Sequence, residues 1–462
     1  MKAEELLGRW SAEGELFEHW AQRPEEAQRR LLADLAALDP GLLRRLRETL
    51  ASAEGGAARA PAQRRIAPLP AVPLAEWRGS REAGQAGEEL IASGRTAFLT
   101  AAGGQGTRLG WNGPKGCFRI SPIRKASLFQ IFAEKILAAR RRYGVSVRWC
   151  IMTSPLNHDQ TLEFFSAHDF FGLPAEEVIL FRQGLLPSLT PEGRLLLAAD
   201  GGLAQNPTGH GGILQAMRSE GVTWRLLVAG VEELFYFQVD NPLVRLPDPQ
   251  FAGWHRLRGS QMSSKVIPKA HPEERLGVPG LLDGRPWIIE YSDLDSGQMH
   301  ARAPGGGLRF PQGSIAIHLL NTAFAARVPL PLPLHLARKR VPCLVPRPGG
   351  AAVEEREAVK FESFIFDAIP LAAAPQFLET SREEEFAPLK NATGPDSIAT
   401  CAASLIDQHS RWLEACGVQV PREDGRPKYR VEISPLFAAD PQTLQERLGH
   451  TVNRIDEDTL FA

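Results

Sequence analysis

The chain of 462 residues predicts an α/β fold: a largely parallel sheet with helices on both faces. Three observations carry this. Residues 96–100 are a short apolar run, read as a buried strand, and a glycine-dense loop follows directly. Ser127-Leu-Phe-Gln130 has the form of a capping box, after which Leu128, Ile131, Phe132 and Ile136 share one helical face that ends near Gly144. Residues 145–151 then read as the next strand and 161–165 as the centre of the next helix. Strands and helices alternating in this way pair in parallel through crossovers, and ligands belong at the carboxyl ends of the strands.

The length suits two or three domains, and 43% hydrophobic with 23% charged residues is the balance of a globular chain with a large core. A formal net charge of −1 argues against nucleic acid or an anionic membrane recognised by bulk charge. Cys117, Cys150, Cys343, Cys401 and Cys416 are widely spread, with no CxxC pair to suggest zinc or a disulfide framework. The opening M-K-A-E-E-L-L-G-R-W lacks the apolar core of a signal peptide, and no apolar run approaches membrane-spanning length. Cytoplasmic placement is the expectation.

Residues 4–50 read as helices, with Leu31, Leu32, Leu35 and Leu38 as one apolar stripe and Asp39-Pro40 as an N-cap followed by proline at the first helical position. Residues 51–73, rich in Ala, Gly and Pro, read as a linker, and a helix over 82–91 is stopped by Gly94. The expected organisation is a helical region with its linker over 1–90, a catalytic domain over 91–400 and a small C-terminal domain over 401–462.

The loop after the first strand is the centre of the chain. Ala101, Ala102, Gly103, Gly104, Gly106 and Gly110 let backbone N–H groups approach a ligand, and Arg108 and Lys115 supply charge, which together suit a phosphate cradle. No Gly-Lys-Ser/Thr closes it as in a P-loop. The dinucleotide fingerprint is absent too, since the spacing from Gly104 is Gly-x-Gly-x-x-Leu and no acidic residue follows at the required distance.

The run A-G-G-Q-G-T-R-L-G followed by P-K-G resembles the signature loop of eukaryotic-type UDP-sugar pyrophosphorylases, nearest to those making UDP-N-acetylglucosamine. The resemblance extends from about residue 90 to residue 440. It implies a Rossmann-like, GT-A-like nucleotidyltransferase domain with a mixed, mostly parallel sheet, and the helical N-terminal extension and small C-terminal domain fit it. It implies that Ala102, Gly103 and Gly104 bind the nucleotide and that Arg108 and Lys115 are catalytic. M-T-S at 152–154 and H-D-F-F-G-L at 168–173 resemble family landmarks, their aromatic residues read as core.

In the stretch Gln183-Gly-Leu-Leu-Pro187, a lone glutamine is ordinarily a surface amide; the resemblance makes Gln183 the reader of the uracil edge, to which an amide both donates and accepts. Pro207-Thr-Gly-His-Gly-Gly212 is a tight helix entry by residue type and resembles the uridine-binding loop, giving Gly209 and His210 to the nucleotide. His210 departs from the N-acetylglucosamine pattern, where Asn usually stands, and follows the UDP-glucose and broad UDP-sugar enzymes.

Residues 234–239 read as a central strand ending in Asp240-Asn241. A carboxylate there either holds a hard cation beside phosphates or caps the next turn. V-D-N-x-L-V-R-L resembles the family stretch in which Asp240 ligates Mg2+ near the ribose, with Asn241 beside the sugar or phosphate. Residues 263–291 read as a β-rich insertion, and the resemblance puts the sugar pocket there, with Gly277, Glu290 and Tyr291 against the sugar. Ser314 stands where N-acetylglucosamine enzymes have a sugar-contacting Asn. K-F-E-S-F-I-F-D from Lys360 and R-E-E-E-F-A-P-L-K-N-A from Arg382 match family motifs, so Lys360 and Lys390, which residue type alone leaves as solvated lysines, are implied to bind phosphate, Lys390 as a catalytic group. From about residue 402 onward, one helix and a short strand over 429–433 are expected.

The implied reaction joins UTP and a sugar 1-phosphate with Mg2+, N-acetylglucosamine 1-phosphate first and glucose 1-phosphate or a broader set as the alternative, by a monomer or weak homodimer. Two rivals are a nicotinamide or flavin oxidoreductase, which fails the fingerprint spacing, and a non-catalytic nucleotide sensor, against which the retained Arg108, Lys115 and Asp240 argue.

Overall fold

A computed structural model describes residues 3–54, 65–347, 350–449 and 452–462. The chain divides into two compact units, both discontinuous in sequence. The larger holds Arg65–Arg182, Ala216–Pro329 and Ala368–Ala462, and the smaller holds Met1–Arg64, Gln183–Gln215 and Leu330–Asp367.

The larger unit is built on a seven-stranded sheet. Its strands are β1 Thr96–Ala101, β2 Arg148–Thr153, β3 Val178–Arg182, β4 Glu233–Gln238, β5 Met262–Pro268, β6 Gln312–Asn321 and β7 Gln376–Glu379. They lie in the order β7-β5-β6-β4-β1-β2-β3. The β7–β5, β4–β1, β1–β2 and β2–β3 pairs are parallel, and β6 alone runs antiparallel to its neighbours β4 and β5. The sheet is therefore mixed and mostly parallel. β1 and β4 are apolar without alternation because both their faces are covered.

The covering helices include α1 Arg81–Ala92, α2 Leu128–Tyr143, α3 His158–Ala167, α4 Pro249–Leu257 and α5 Ile398–Ala415. Ser127 accepts from the N–H of Gln130 and starts α2; Gly144, at φ +65°, ends it. The capping box is only half made, since Gln130 turns its amide to Glu134. The core joins Phe129, Phe132, Trp149, Phe165 and Phe237, with Phe170 and Phe171 packed against it.

Several elements differ from expectation. β2 begins at Arg148 rather than 145, because Val145 packs on the core from outside the strand. The first part of the expected insertion is β5 of the central sheet, while Val278–Leu282 and Arg285–Ile289 form a hairpin that Ile66–Pro68 extends to three strands. Ile66–Pro68 also shortens the expected linker, as does a helix that runs on to Glu54; residues 55–64 lie outside the described residues. Beyond α5, the end of the chain pairs Val431–Ile433 in parallel with Thr459–Phe461 and adds a second helix, Pro441–Leu448. That helix buries only Leu444 and Leu448, too sparse a stripe to stand out in the sequence.

In the smaller unit, the helices Glu25–Ala37 and Pro40–Glu54 bury Leu31, Leu35 and Leu46 with Leu189 and Phe361. Asp39 accepts from the N–H groups of Gly41 and Leu42, as the cap requires. His335–Arg347 and Gly350–Glu362 form a long antiparallel ribbon, and Leu185–Pro187 pairs with Gln205–Pro207.

Candidate active site

In the larger unit the glycine loop leaves the carboxyl end of β1 and closes on itself. Lys115 N–H donates to Gly104 O at 3.1 Å and Gly106 N–H to Gly113 O at 2.9 Å. Ala102 N–H is held by Met152 O at 2.8 Å, so Ala102 shapes the loop through its backbone. The N–H groups of Gly103 and Gly104 have no acceptor among the described residues, and Gly104 is exposed with open space where a Cβ would stand. Two adjacent N–H groups without acceptors at the carboxyl end of a strand are free to donate to an anion.

Asn157, which sequence reasoning missed, fixes this loop. Its side chain is buried, and Nδ2 donates to Ala102 O at 3.0 Å and Gly104 O at 3.3 Å, while Oδ1 accepts from Ser154 N–H at 2.8 Å. Its one local signal is its place immediately before α3.

Arg108 lies exposed in the turn Thr107–Leu109, and Lys115 opens the turn Lys115–Cys117. Lys115 Nζ stands 3.4 Å from Oδ2 of Asp240, which lies just past β4. Three backbone or amide contacts then converge on residues 385–392. Leu389 N–H donates to Asp240 O at 2.8 Å, Ala392 N–H to Arg108 O at 3.0 Å, and Asn241 Nδ2 to Glu385 O at 2.7 Å. Lys390 lies within this segment, its Nζ 3.7 Å from Asp396 Oδ2. The expected sugar or phosphate contact from Asn241 needs correction. Asn241 is 3% exposed, and its Oδ1 also accepts from Ala387 N–H at 3.1 Å, so the amide clamps backbone and faces no ligand.

A charged cluster under the same segment also escaped the sequence. Lys265 on β5 is fully buried, and its Nζ meets Asp248 Oδ2 at 2.6 Å and Glu385 Oε2 at 2.5 Å. Arg78 closes the cluster from Asp248 Oδ1 at 2.8 Å and Glu385 Oε1 at 2.7 Å. Burial pushes both carboxyls up, but Arg78 and Lys265 outweigh it and hold them below their ordinary values. Lysine on a β-run reads as a solvent-facing residue, which hid this cluster from the sequence.

The sugar candidates also gather in the larger unit. Ser314 N–H donates to Gly277 O at 2.7 Å, and a Cβ on Gly277 would lie 3.4 Å from Glu290 Oε2. That Cβ would also stand 2.6 Å from Ile288 Cγ2, so only glycine fits. The β6–β5 register shifts between Ser314 and His318, with Ala316 at φ +55°. Such irregularities re-aim side chains beside sites. Tyr291, half-buried, begins the turn Tyr291–Asp293 directly after Glu290.

The remaining candidates belong to the smaller unit. Gln183 is 6% exposed, and Thr208 Oγ1 stands 3.5 Å from its Oε1, too far to hold the amide firmly. Gly209 takes φ +83°, and a Cβ there would meet Ser363 O at 2.6 Å. His210 Nδ1 accepts from Ile365 N–H at 3.3 Å, so the neutral ring carries its proton on Nε2; the ring stacks on Phe364 at 5.1 Å. Lys360 lies opposite Ala337 in the long ribbon, and burial, then the charge of Lys339, lower its pKa.

Among the described residues there is no group of three or more His, Cys, Asp or Glu placed to hold a metal. A cation at this site would rest on Asp240. That suits Mg2+, which is commonly held by one or two carboxylates together with substrate phosphates.

The family model described as UTP–glucose-1-phosphate uridylyltransferase matches residues 59–303. Human UDP-N-acetylhexosamine pyrophosphorylase-like protein 1 is 35% identical, across 93% of this chain and 91% of its own length. Saccharomyces cerevisiae UDP-N-acetylglucosamine pyrophosphorylase is 31% identical, across 84% of each chain. The solved uridine diphosphate N-acetylglucosamine pyrophosphorylase of Trypanosoma brucei shares the fold at a TM-score of 0.79 and 23% identity, covering 99% of this chain and 98% of that one.

Proposed function

Since the chain belongs to the UTP–glucose-1-phosphate uridylyltransferase family, we propose that it makes UDP-N-acetylglucosamine and pyrophosphate from UTP and N-acetylglucosamine 1-phosphate. The observation that carries this is the convergence of the glycine loop, Asp240 and the Lys390 segment in one hydrogen-bonded assembly. The choice of sugar is supported by the name of the Saccharomyces cerevisiae relative at 31% identity, and the name of the human relative at 35% identity supports an N-acetylhexosamine.

A phosphate oxygen of the sugar 1-phosphate attacks the α-phosphorus of UTP. The new P–O bond forms as the bond to the β-phosphate oxygen breaks, and pyrophosphate leaves in line with that electron pair. Such a transfer needs alignment and charge neutralisation rather than a covalent nucleophile. The N–H groups of Gly103 and Gly104 cradle phosphate oxygens, Arg108 steadies the departing pyrophosphate, and Lys115 neutralises charge between the α-phosphate and the leaving group. Lys390 steers the attacking phosphate. Asp240 holds Mg2+, which when bound supplies further neutralisation of phosphate charge.

Gln183 and the Gly209–His210 turn read the uracil, and Gly277, Glu290, Tyr291 and Ser314 form the sugar wall, with Lys360 as a further phosphate-binding lysine. The same proposal includes a cytoplasmic monomer or weak homodimer. No described helix is long and apolar enough to cross a membrane. A more tolerant sugar pocket is the second reading, favoured by the short side chain of Ser314 beside the β6 irregularity.

The test is incubation of the full chain with Mg2+, N-acetylglucosamine 1-phosphate and either UTP or CTP, followed by phosphorus NMR. UDP-N-acetylglucosamine and pyrophosphate are expected with UTP, and far less product with CTP, because a site built for one hydrogen-bonding edge leaves its groups unpaired against another. Equal use of CTP removes the base-reading roles; no product with UTP removes the proposed reaction.

A further inference from the structure

We propose that Asp396 is the positioning residue of Lys390: it restrains the ammonium before substrate arrives and yields it to the incoming phosphate. The inference rests on the reading of Lys390 as the lysine that steers the sugar phosphate, and adds the group that governs that lysine.

Lys390 and Asp396 close a short loop between the segment that meets Asp240 and the start of α5. Asp396 O accepts from Lys390 N–H at 2.7 Å and from Asn391 N–H at 3.0 Å. Asn391 Nδ2 donates to Pro395 O at 2.8 Å, and Ile398 N–H to Asn391 O at 3.2 Å. Ser397, the next residue, caps α5 by accepting from Thr400 N–H at 3.4 Å. Asp396 itself takes φ +52°, a conformation that Asp and Asn tolerate better than most side chains. Its carboxylate therefore stands on a fixed backbone at the head of an 18-residue helix.

Among the described residues, Asp396 is the carboxylate at ion-pair distance from Lys390. The gap of 3.7 Å exceeds a hydrogen bond, so the ammonium is attracted but not fastened. Both side chains are partly open, at 38% and 41% exposure, so a phosphate can reach the lysine. The same loop is tied to the glycine loop, since Ala392 N–H donates to Arg108 O at 3.0 Å. Asp240 and Asp396 also act together on the Cys401 thiol of α5. Burial raises the pKa of that thiol most, and the two carboxylates raise it further, so both lie within electrostatic reach of one side chain.

A carboxylate at this place has two opposed effects. It competes with the phosphate for the lysine and repels it, which weakens binding. It also keeps a long, flexible side chain near one orientation, which favours the alignment that transfer needs. Removing its charge therefore separates KM from kcat.

The experiment is steady-state kinetics of the full chain with N-acetylglucosamine 1-phosphate varied at saturating UTP and Mg2+. Wild type, Asp396→Asn, Lys390→Gln and the double variant are compared. Asp396→Asn is expected to lower KM for the sugar 1-phosphate by up to about fivefold, the worth of a partly exposed ion pair. It is expected to lower kcat by about tenfold through lost alignment. A loss of stability alone does not lower KM. In the Lys390→Gln background the same change is expected to alter neither constant by more than about twofold, because the two residues act as a pair. Asp396→Gly, which also accepts the positive φ, serves if the Asn variant is unstable. With wild type active and Lys390→Gln impaired, an unchanged kcat, an unchanged or raised KM, or an equal effect of Asp396→Asn in both backgrounds overturns this proposal alone. No turnover by wild type overturns the proposed reaction, and Lys390→Gln kinetics equal to wild type overturn the role of Lys390; either removes this proposal with it.

Discussion

Lys115 Nζ lies 3.4 Å from Asp240 Oδ2, bringing the cation of the glycine loop against the carboxylate at the end of β4. Both side chains are mostly buried, at 18% and 13% exposure. Under the proposed reaction, Lys115 would turn to phosphate and Asp240 would hold Mg2+.

Lys115→Ala is therefore expected to act on the chemical step. Loss of one group that stabilises developing charge lowers kcat by about 100-fold or more, and KM for UTP changes much less because the lysine is needed most in the transition state. Steady-state kinetics at saturating sugar 1-phosphate checks this. An unchanged kcat removes Lys115 from the catalytic set.

Asn241→Ala separates a clamp from a substrate contact. The amide holds Glu385 O and Ala387 N–H, so its loss lowers stability by about 2 kcal/mol. It also lowers kcat by loosening the segment that carries Lys390. Urea denaturation and kinetics together decide: unchanged stability with a raised KM for the sugar 1-phosphate alone restores the direct contact.

Lys135 gives a pH signature. Burial pushes its pKa down to about 7, against the opposing charge of Glu385, and Arg245 lowers it further. The unfolded chain keeps this lysine charged up to about pH 10.4. Between those values the unfolded state binds the extra proton, so this group makes stability rise with pH. Below about pH 7 both states are protonated, the full penalty for the buried charge is present, and the contribution is flat. The stability of wild type minus that of Lys135→Met is thus expected to grow from pH 7 to pH 9 in urea denaturation. A difference that stays flat or shrinks contradicts this.

Ser314→Asn tests the sugar wall. Ser314 N–H is bound to the O of Gly277, where a Cβ would lie 3.4 Å from Glu290 Oε2, and its short side chain precedes the β6 irregularity. A longer amide at this place is expected to raise preference for N-acetylglucosamine 1-phosphate over glucose 1-phosphate by about tenfold, the worth of one net hydrogen bond of about 1 kcal/mol or slightly more. The ratio of kcat/KM for the two sugars is the measurement, and an unchanged ratio excludes Ser314 from the wall.

Parts of this architecture were legible because their signals are local. β1 and β4 carry apolar centres, over residues 97–99 and 234–237, α2 carries its own cap and stop, and the glycine loop and Asp240 stand at strand ends where an α/β sheet puts its ligands. What stayed hidden depends on partners distant in sequence. Ile66 pairs with Leu282, a match that no local pattern announces. Lys265 is buried only because Asp248 and Glu385 meet it, and the Ala-Gly-Pro-rich stretch around Ile66 looked like a linker for want of its partner strand. Asn241 was placed against substrate by its motif, whereas its neighbours in space turned it to backbone.

The central claim is uridylyl transfer to an N-acetylated sugar phosphate. Its most direct test is pyrophosphate release by the wild-type chain from UTP and Mg2+ with each member of a sugar 1-phosphate panel in turn. The predicted result is the highest kcat/KM with N-acetylglucosamine 1-phosphate and lower, measurable turnover of related sugars. Turnover confined to glucose 1-phosphate, or no pyrophosphate with any sugar, contradicts it.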